Sequence, residues 1–142
     1  MIFCPLLFVG CGKVDVGTPR HGGAFLTVRE TIFEVEVVDS LDKQIRGLSG
    51  RENLEENEGM LFVYNTSETR SFWMKDMKFG LDIIFIDNEV VVDLVEGLSA
   101  PVGEEEIMGY TSKETSDMVL EVNAGVVRDY GIEVGDRVDI LW

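Results

Sequence analysis

Leu81-Asp82-Ile83-Ile84-Phe85-Ile86-Asp87-Asn88-Glu89-Val90-Val91-Val92-Asp93-Leu94-Val95 decides the fold class. Residues 81–87 and 90–95 are apolar runs of strand length, and Asp87-Asn88-Glu89 between them suits a hairpin turn. The same signature recurs outward in both directions. Residues 60–64, 72–75 and 118–122 are further apolar runs bounded by polar or glycine residues, and 137–142 form a last one entered through Val134-Gly135-Asp136. Upstream, residues 25–38 are rich in β-branched side chains, and Phe33, Val35 and Val37 alternate with Glu34 and Glu36 in the period of a half-buried strand.

Two short helices interrupt this pattern. Asp39 or Ser40 can cap the first, Leu41, Ile45 and Leu48 recur at helical spacing, and Gly47 or Gly50 ends it. Residues 124–130 form the second, closed by Gly131. Residues 97–117, with Pro101, Gly103, Glu104-Glu105-Glu106 and Gly109, read as one long irregular loop whose acidic run is solvated. About seven strands and two short helices predict a mainly β (α+β) protein, either a compact β-barrel or two packed sheets. No repeat or internal linker is visible, so residues 24–142 are expected to form a single β-rich domain with one core, of the size at which about two-thirds of the chain's surface is buried.

The composition narrows function by exclusion. Of 142 residues, 27 are acidic and 12 basic, for a formal net charge of -15. Such a surface repels phosphate backbones and anionic lipid, so no nucleic-acid partner is expected. It favours a basic or neutral ligand or a metal ion, or serves solubility alone. Both cysteines, Cys4 and Cys11, precede the domain, which leaves it no disulfide, redox pair or cysteine nucleophile. The single histidine, His21, lies in the glycine-rich stretch Arg20-His21-Gly22-Gly23, so neither a histidine zinc site nor a Ser-His-Asp triad has its ligands. No cofactor is expected, and the domain is expected to be a monomer.

Residues 1–23 read differently. Ile2 to Val9 are nearly all apolar, too few for a membrane span but suited to a signal-peptide core. Phe8-Val9-Gly10-Cys11 then resembles a lipobox, in which Cys11 would receive a lipid and residues 12–23 would be the tether. This predicts an exported domain, membrane-anchored or otherwise outside the cytoplasm. The alternative is an ordinary hydrophobic N-terminal strand or tail on a cytoplasmic protein.

Arg46-Gly47-Leu48, Glu58-Gly59-Met60-Leu61-Phe62, Phe72-Trp73-Met74-Lys75, the run from Leu81 to Asp87 and Leu120-Glu121-Val122-Asn123-Ala124-Gly125 together resemble one family, the domain of unknown function 192 family, over residues 33–141. The resemblance implies a small β-rich domain, often behind a signal peptide in bacteria and archaea, with no established activity, substrate or cofactor. The chain departs from the family pattern at Gly80, where a proline commonly precedes the Leu-Asp pair, and at Ser116, near an expected Pro-Ala pair.

Several side chains exceed what a plain core requires. Strand parity puts Trp73 and Lys75 on one face, where they suit the rim of a sugar or peptide site, or a core indole with a lysine passing over it. Glu121 and Asn123 share a face by the same rule, with Leu120 and Val122 on the core side; the Asn123 amide either fixes the adjoining turn or meets a ligand beside Glu121. Asp82 and Asp87 fall on opposite faces of one strand and form no carboxylate pair. Arg46 and Arg51 flank Gly47-Leu48-Ser49-Gly50, where they can clamp an anion or pair with the chain's own Glu58, Asp82 or Glu121.

The candidate ligand-binding residues are therefore Trp73, Lys75, Asp82, Glu121, Asn123, Arg46 and Arg51. The leading expectation is a noncatalytic binding or accessory domain of the cell envelope that recognises a small-molecule, glycan or protein ligand. A hydrolase or lyase working through Glu121 or Asp82 without metal is the second, with Lys75 or Arg46 stabilising negative charge. A structural domain that docks a partner protein is the third.

Overall fold

The hairpin at the centre of the sequence closes through Asn88 and Glu89, both at positive φ (48° and 62°), as a two-residue turn whose twist matches its strands. It joins β5 (Leu81–Asp87) to β6 (Val90–Leu98). Glycine tolerates such a conformation better than glutamate, so Glu89→Gly is expected to raise stability by about 0.5–1 kcal/mol in urea unfolding; an unchanged or lower midpoint would contradict the turn assignment.

The computed structural model describes residues 17–20, 23–103 and 108–142. Cys4, Cys11, the signal-like run, His21 and Glu104-Glu105-Glu106 lie outside the described residues. The apolar stretch at the start of the domain is a second hairpin, β1 (Ala24–Val28) and β2 (Thr31–Val38), turning through Arg29 at φ 53°. Next come α1 (Leu41–Arg46), β3 (Glu58–Glu68), β4 (Ser71–Trp73), β5 and β6. The chain ends with β7 (Gly109–Thr111), β8 (Ser116–Asn123), α2 (Val126–Tyr130) and β9 (Val138–Leu141).

Seven strands form one sheet in the order β6-β5-β8-β3-β2-β1-β9, and β4 and β7 form a small second sheet. The large sheet curls into a half-barrel. Its outer strands approach each other at one end, where Val90 bridges Arg137 and the Val138 N–H donates to the Glu89 carbonyl at 2.8 Å. All neighbours in it are antiparallel except β2 and β3. A parallel pair cannot be joined by a tight turn, so the chain must cross over between them, and residues 39–57 with α1 make that crossover.

Because the sheet is covered on both sides, its central strands carry two apolar faces. Leu26, Phe33, Leu61, Ile84, Leu120 and Val122 fill the inside of the curl with Val126 and Val127 of α2. Met60, Phe62, Ile83, Phe85 and Val119 face the other way, beneath Leu48, Met74 and Met77. The small sheet is held on that second face by rings. Phe72 meets Phe62 edge-on at 5.0 Å and Phe85 at 6.0 Å, and Tyr110 lies 5.7 Å from Phe85. Such contacts add to the area they bury.

Three sequence readings are corrected here. The 97–117 segment is not one loop: β6 runs to Leu98, β7 pairs with β4, and β8 begins at Ser116. A three-residue strand whose partner lies about forty positions earlier leaves no local periodicity. The first helix does not bury Leu41 and Ile45, which are 72% and 63% exposed; it ends at Arg46, and Leu48 reaches the core from the turn beyond. The strand over Trp73 stops at that residue, so the alternation that would put Lys75 beside it is broken, and Lys75 lies in a turn with Asp76.

Candidate functional site

β8 is the middle strand on the second face, flanked by β3 and β5. Its register sets Glu121 between Met60 and Ile83, with Val119 on the same face, so a carboxyl group sits in an otherwise apolar row. Glu121 is 5% exposed, and its Oε2 has no hydrogen-bond partner among the described residues. Burial disfavours the charged form and raises its pKa to about 8, so the group is mostly protonated at neutral pH.

Above Glu121 opens a cleft of about 310 Å³. Its walls are α1 and the turn after it (Gln44 to Ser49), Phe62 and Tyr64 of β3, Ser71 to Trp73 of β4, and Met77. The crossover supplies one wall and the small sheet the other, so the cleft follows from the parallel β2–β3 pair and the docked β4–β7 hairpin. Gln44 fixes α1 in place by donating from Nε2 to the Val63 carbonyl at 2.9 Å. Gly47, with φ 51° and ψ -136°, keeps the wall thin: a Cβ there would stand 3.5 Å from the Phe62 ring and 4.0 Å from Glu121 Oε2.

Trp73 stands at this cleft with 62% of its surface exposed, opposite Gly109 in the small sheet. A core indole is ruled out at this position. Tyr64 is half-buried under the Arg70 guanidinium, 3.7 Å from its ring centroid. Burial raises the Tyr64 hydroxyl above its ordinary pKa; Arg70 opposes the rise and Glu121 adds to it.

The sequence candidates separate into those at the cleft and those elsewhere. Trp73, Arg46 and Glu121 meet there. Arg46 is exposed at the wall and makes no ion pair within the described residues, so the internal salt bridge expected of it does not form. Arg51 does form an internal salt bridge, but with Glu36 at 2.6 Å rather than with Glu58, Asp82 or Glu121, and outside the cleft lining. Lys75 also lies outside that lining, its carbonyl accepting from Ser49 Oγ.

Asn123 shares the Glu121 face but bonds a distant segment rather than its own turn, donating to the Leu54 carbonyl at 2.8 Å and that of Glu55 at 3.2 Å. Asp82 is the clearest departure. Ile83 is the residue across from Glu121, so Asp82 points to the opposite face of the sheet. It is fully buried there and accepts from the backbone N–H groups of Gly97 (2.7 Å), Gly125 (3.0 Å) and Val127 (2.9 Å). Asp82 organises the backbone and cannot share a ligand patch with Glu121.

Phe62, Tyr64, Ile45 and Gly47 also belong to the cleft, and nothing local in the sequence marks them as binding residues. Parity from Met60 through Phe62 to Tyr64 does place those three on one face, but it does not say what covers that face.

The family model of DUF192, described as an uncharacterized ACR, matches residues 24–140. The chain belongs to the DUF192 family. Two crystal structures resemble this DUF192 domain closely. One is a protein of unknown function from Novosphingobium aromaticivorans DSM 12444, with TM-score 0.72 and 28% identity over 81% of this chain and 83% of that one. The other is a proposed transcription regulator from Sinorhizobium meliloti 1021, with TM-score 0.73 and 27% identity over 87% of this chain and 97% of that one. No curated protein matches the chain.

Proposed function

We propose that this DUF192 domain is a noncatalytic ligand-binding module, and that the cleft over β8 receives a small molecule or a single side chain of a larger partner. The observation that carries this reading is the pairing of an exposed Trp73 at the opening with a buried Glu121 on the floor, whose Oε2 has no hydrogen-bond partner among the described residues. An indole left in water and a polar atom left without a bond both cost free energy that a ligand can recover. The volume is at the lower end of ligand pockets. The larger depressions near Arg29 and near Arg20 offer no such group, since Arg29 is bonded to Asp136 at 2.7 Å and Arg20 to Glu34 at 3.2 Å.

The raised pKa of Glu121 favours a second reading, a hydrolase or lyase in which it exchanges a proton with substrate. The serine hydroxyls lining the cleft argue for binding instead, since Ser49 Oγ donates to the Lys75 carbonyl and Ser71 Oγ is bonded to Thr111 Oγ1. A net charge of -15 argues that a regulatory role of the kind assigned to the Sinorhizobium protein would be exercised through a protein or small ligand rather than on DNA. Placement in the cell envelope rests on the lipobox-like Cys11 segment; among the described residues no helix is long and apolar enough to cross a membrane.

The test is a thermal-shift panel of sugars, peptidoglycan fragments, peptides and amines on the full chain and on Trp73→Ala. A ligand at a hundredfold excess over its dissociation constant stabilises by about 2.7 kcal/mol, and the variant should lose at least half of that shift. Equal shifts in both proteins would place binding elsewhere.

A further inference from the structure

Resting on the ligand-binding reading, we infer that the cleft selects an organic cation, a primary ammonium on an aliphatic stem, with its N–H groups directed to Glu121 and its stem against the aromatic wall. The floor offers an oxygen, Oε2, that has no donor among the described residues and sits in a residue only 5% exposed. The walls present the rings of Phe62, Tyr64, Phe72 and Trp73, apolar surface for methylene groups, and the exposed Trp73 ring offers a face to a cation, whereas Arg70 already covers Tyr64. The chain as a whole is strongly acidic, which raises the local concentration of cations.

Arg46 is the one cation in the lining among the described residues. Among the described residues its guanidinium forms no ion pair with Glu121, whose Oε2 has no hydrogen-bond partner there, and burial raises the Glu121 pKa. Arg46 is instead available to an anionic substituent on the ligand. Of the elements packed about Glu121, β3 brings Tyr64 with Arg70 beyond it, α1 brings Arg46, and β5 brings only Ile83. The carboxyl is mostly protonated before binding. Engaging an ammonium requires it to give its proton to solvent, after which the ammonium N–H donates to the carboxylate; at pH 7 about nine-tenths of a proton is released for a pKa near 8.

The experiment is calorimetric titration of the full chain with n-pentylamine and with Nα-acetyl-lysine amide, each against its neutral counterpart, 1-pentanol and Nα-acetyl-norleucine amide. Run in buffers of different ionisation enthalpy, it counts protons. At least tenfold tighter binding of one amine than of its counterpart, with proton release that falls by about half near pH 8 and is nearly gone by pH 9, is expected; in Glu121→Gln the preference should fall to about twofold or less. Binding of pentylamine alone identifies a free amine as the ligand source, and binding of the lysine amide identifies a peptide side chain. A neutral counterpart that binds as well, or an amine preference that survives Glu121→Gln, overturns the cation assignment and leaves the cleft a ligand site. No binding by any of the four overturns the assignment, and a ligand panel equally silent toward Trp73 would remove the ligand-binding reading with it.

Discussion

Glu121→Gln is expected to stabilise the protein by roughly 3–5 kcal/mol above pH 8 and to leave it unchanged near pH 4. In the unfolded chain the carboxyl titrates near its ordinary value of 4.5, whereas in the folded protein burial holds it protonated up to about 8. Between those two values the folded state binds one proton more than the unfolded state, so the stability of the native protein falls by about 1.4 kcal/mol per pH unit as pH rises. The contribution is fully present below the unfolded pKa and is lost as pH climbs through the folded one. Glutamine keeps the shape and a neutral polar end without titrating. Urea unfolding of both proteins between pH 5 and 9 should therefore give curves that diverge steadily as pH rises. Parallel curves would mean that Glu121 is solvated or paired in solution, and the floor of the cleft would then be something other than a dry carboxyl.

Asp82→Ala is expected to cost about 3–5 kcal/mol, the range for removing one partner from a buried charged network. The loss has a structural account. One carboxyl group satisfies the N–H of Gly97 in β6 and those of Gly125 and Val127 at the start of α2, so its removal leaves three backbone donors on two separate elements without their acceptor, the Val127 N–H buried. Asp82→Asn retains one acceptor oxygen but turns an N–H₂ toward backbone donors, and should fall between wild type and alanine. Asp87, at the other end of the same strand, bonds the exposed Ser67 and Asn88 side chains, and Asp87→Ala should cost less than about 1 kcal/mol. Equal losses at the two aspartates in denaturant unfolding would overturn this division.

These two carboxyl groups show how far local reading reaches. Parity along 118–123 correctly sets Glu121 apart from Leu120 and Val122, and a carboxylate in an apolar strand is visible as an anomaly. It does not reveal that the Glu121 side is also buried, because that depends on α1, Met77 and the β4–β7 sheet arriving from other parts of the chain. Asp82 looks like a second member of the same site for as long as the β5–β8 register is unknown. A shift of one residue would exchange Asp82 and Ile83 across from Glu121 and bring the two acids to one face. Trp73 illustrates the reverse case. Large aromatics are mostly buried, so its exposure is invisible to composition and emerges only because β4 is a short edge element with Gly109 opposite.

Local physics thus settles what can be decided between neighbours in sequence. Period-two alternation around Phe33 to Val37 and apolar runs over 81–87 and 90–95 mark strands, the Asn88-Glu89 turn folds the latter two into a hairpin, Gly47 and Gly131 end the helices, and the spacing of the family motifs marks a DUF192 domain. The tertiary structure alone decides that β2 and β3 are parallel, that the crossover between them must therefore pass over the sheet, and that a cleft remains between that crossover and the β4–β7 hairpin. The reason is that strand parity assigns side chains to faces within one strand, while burial, unpaired polar atoms and shifted pKa values depend on which strands become neighbours and on what covers them.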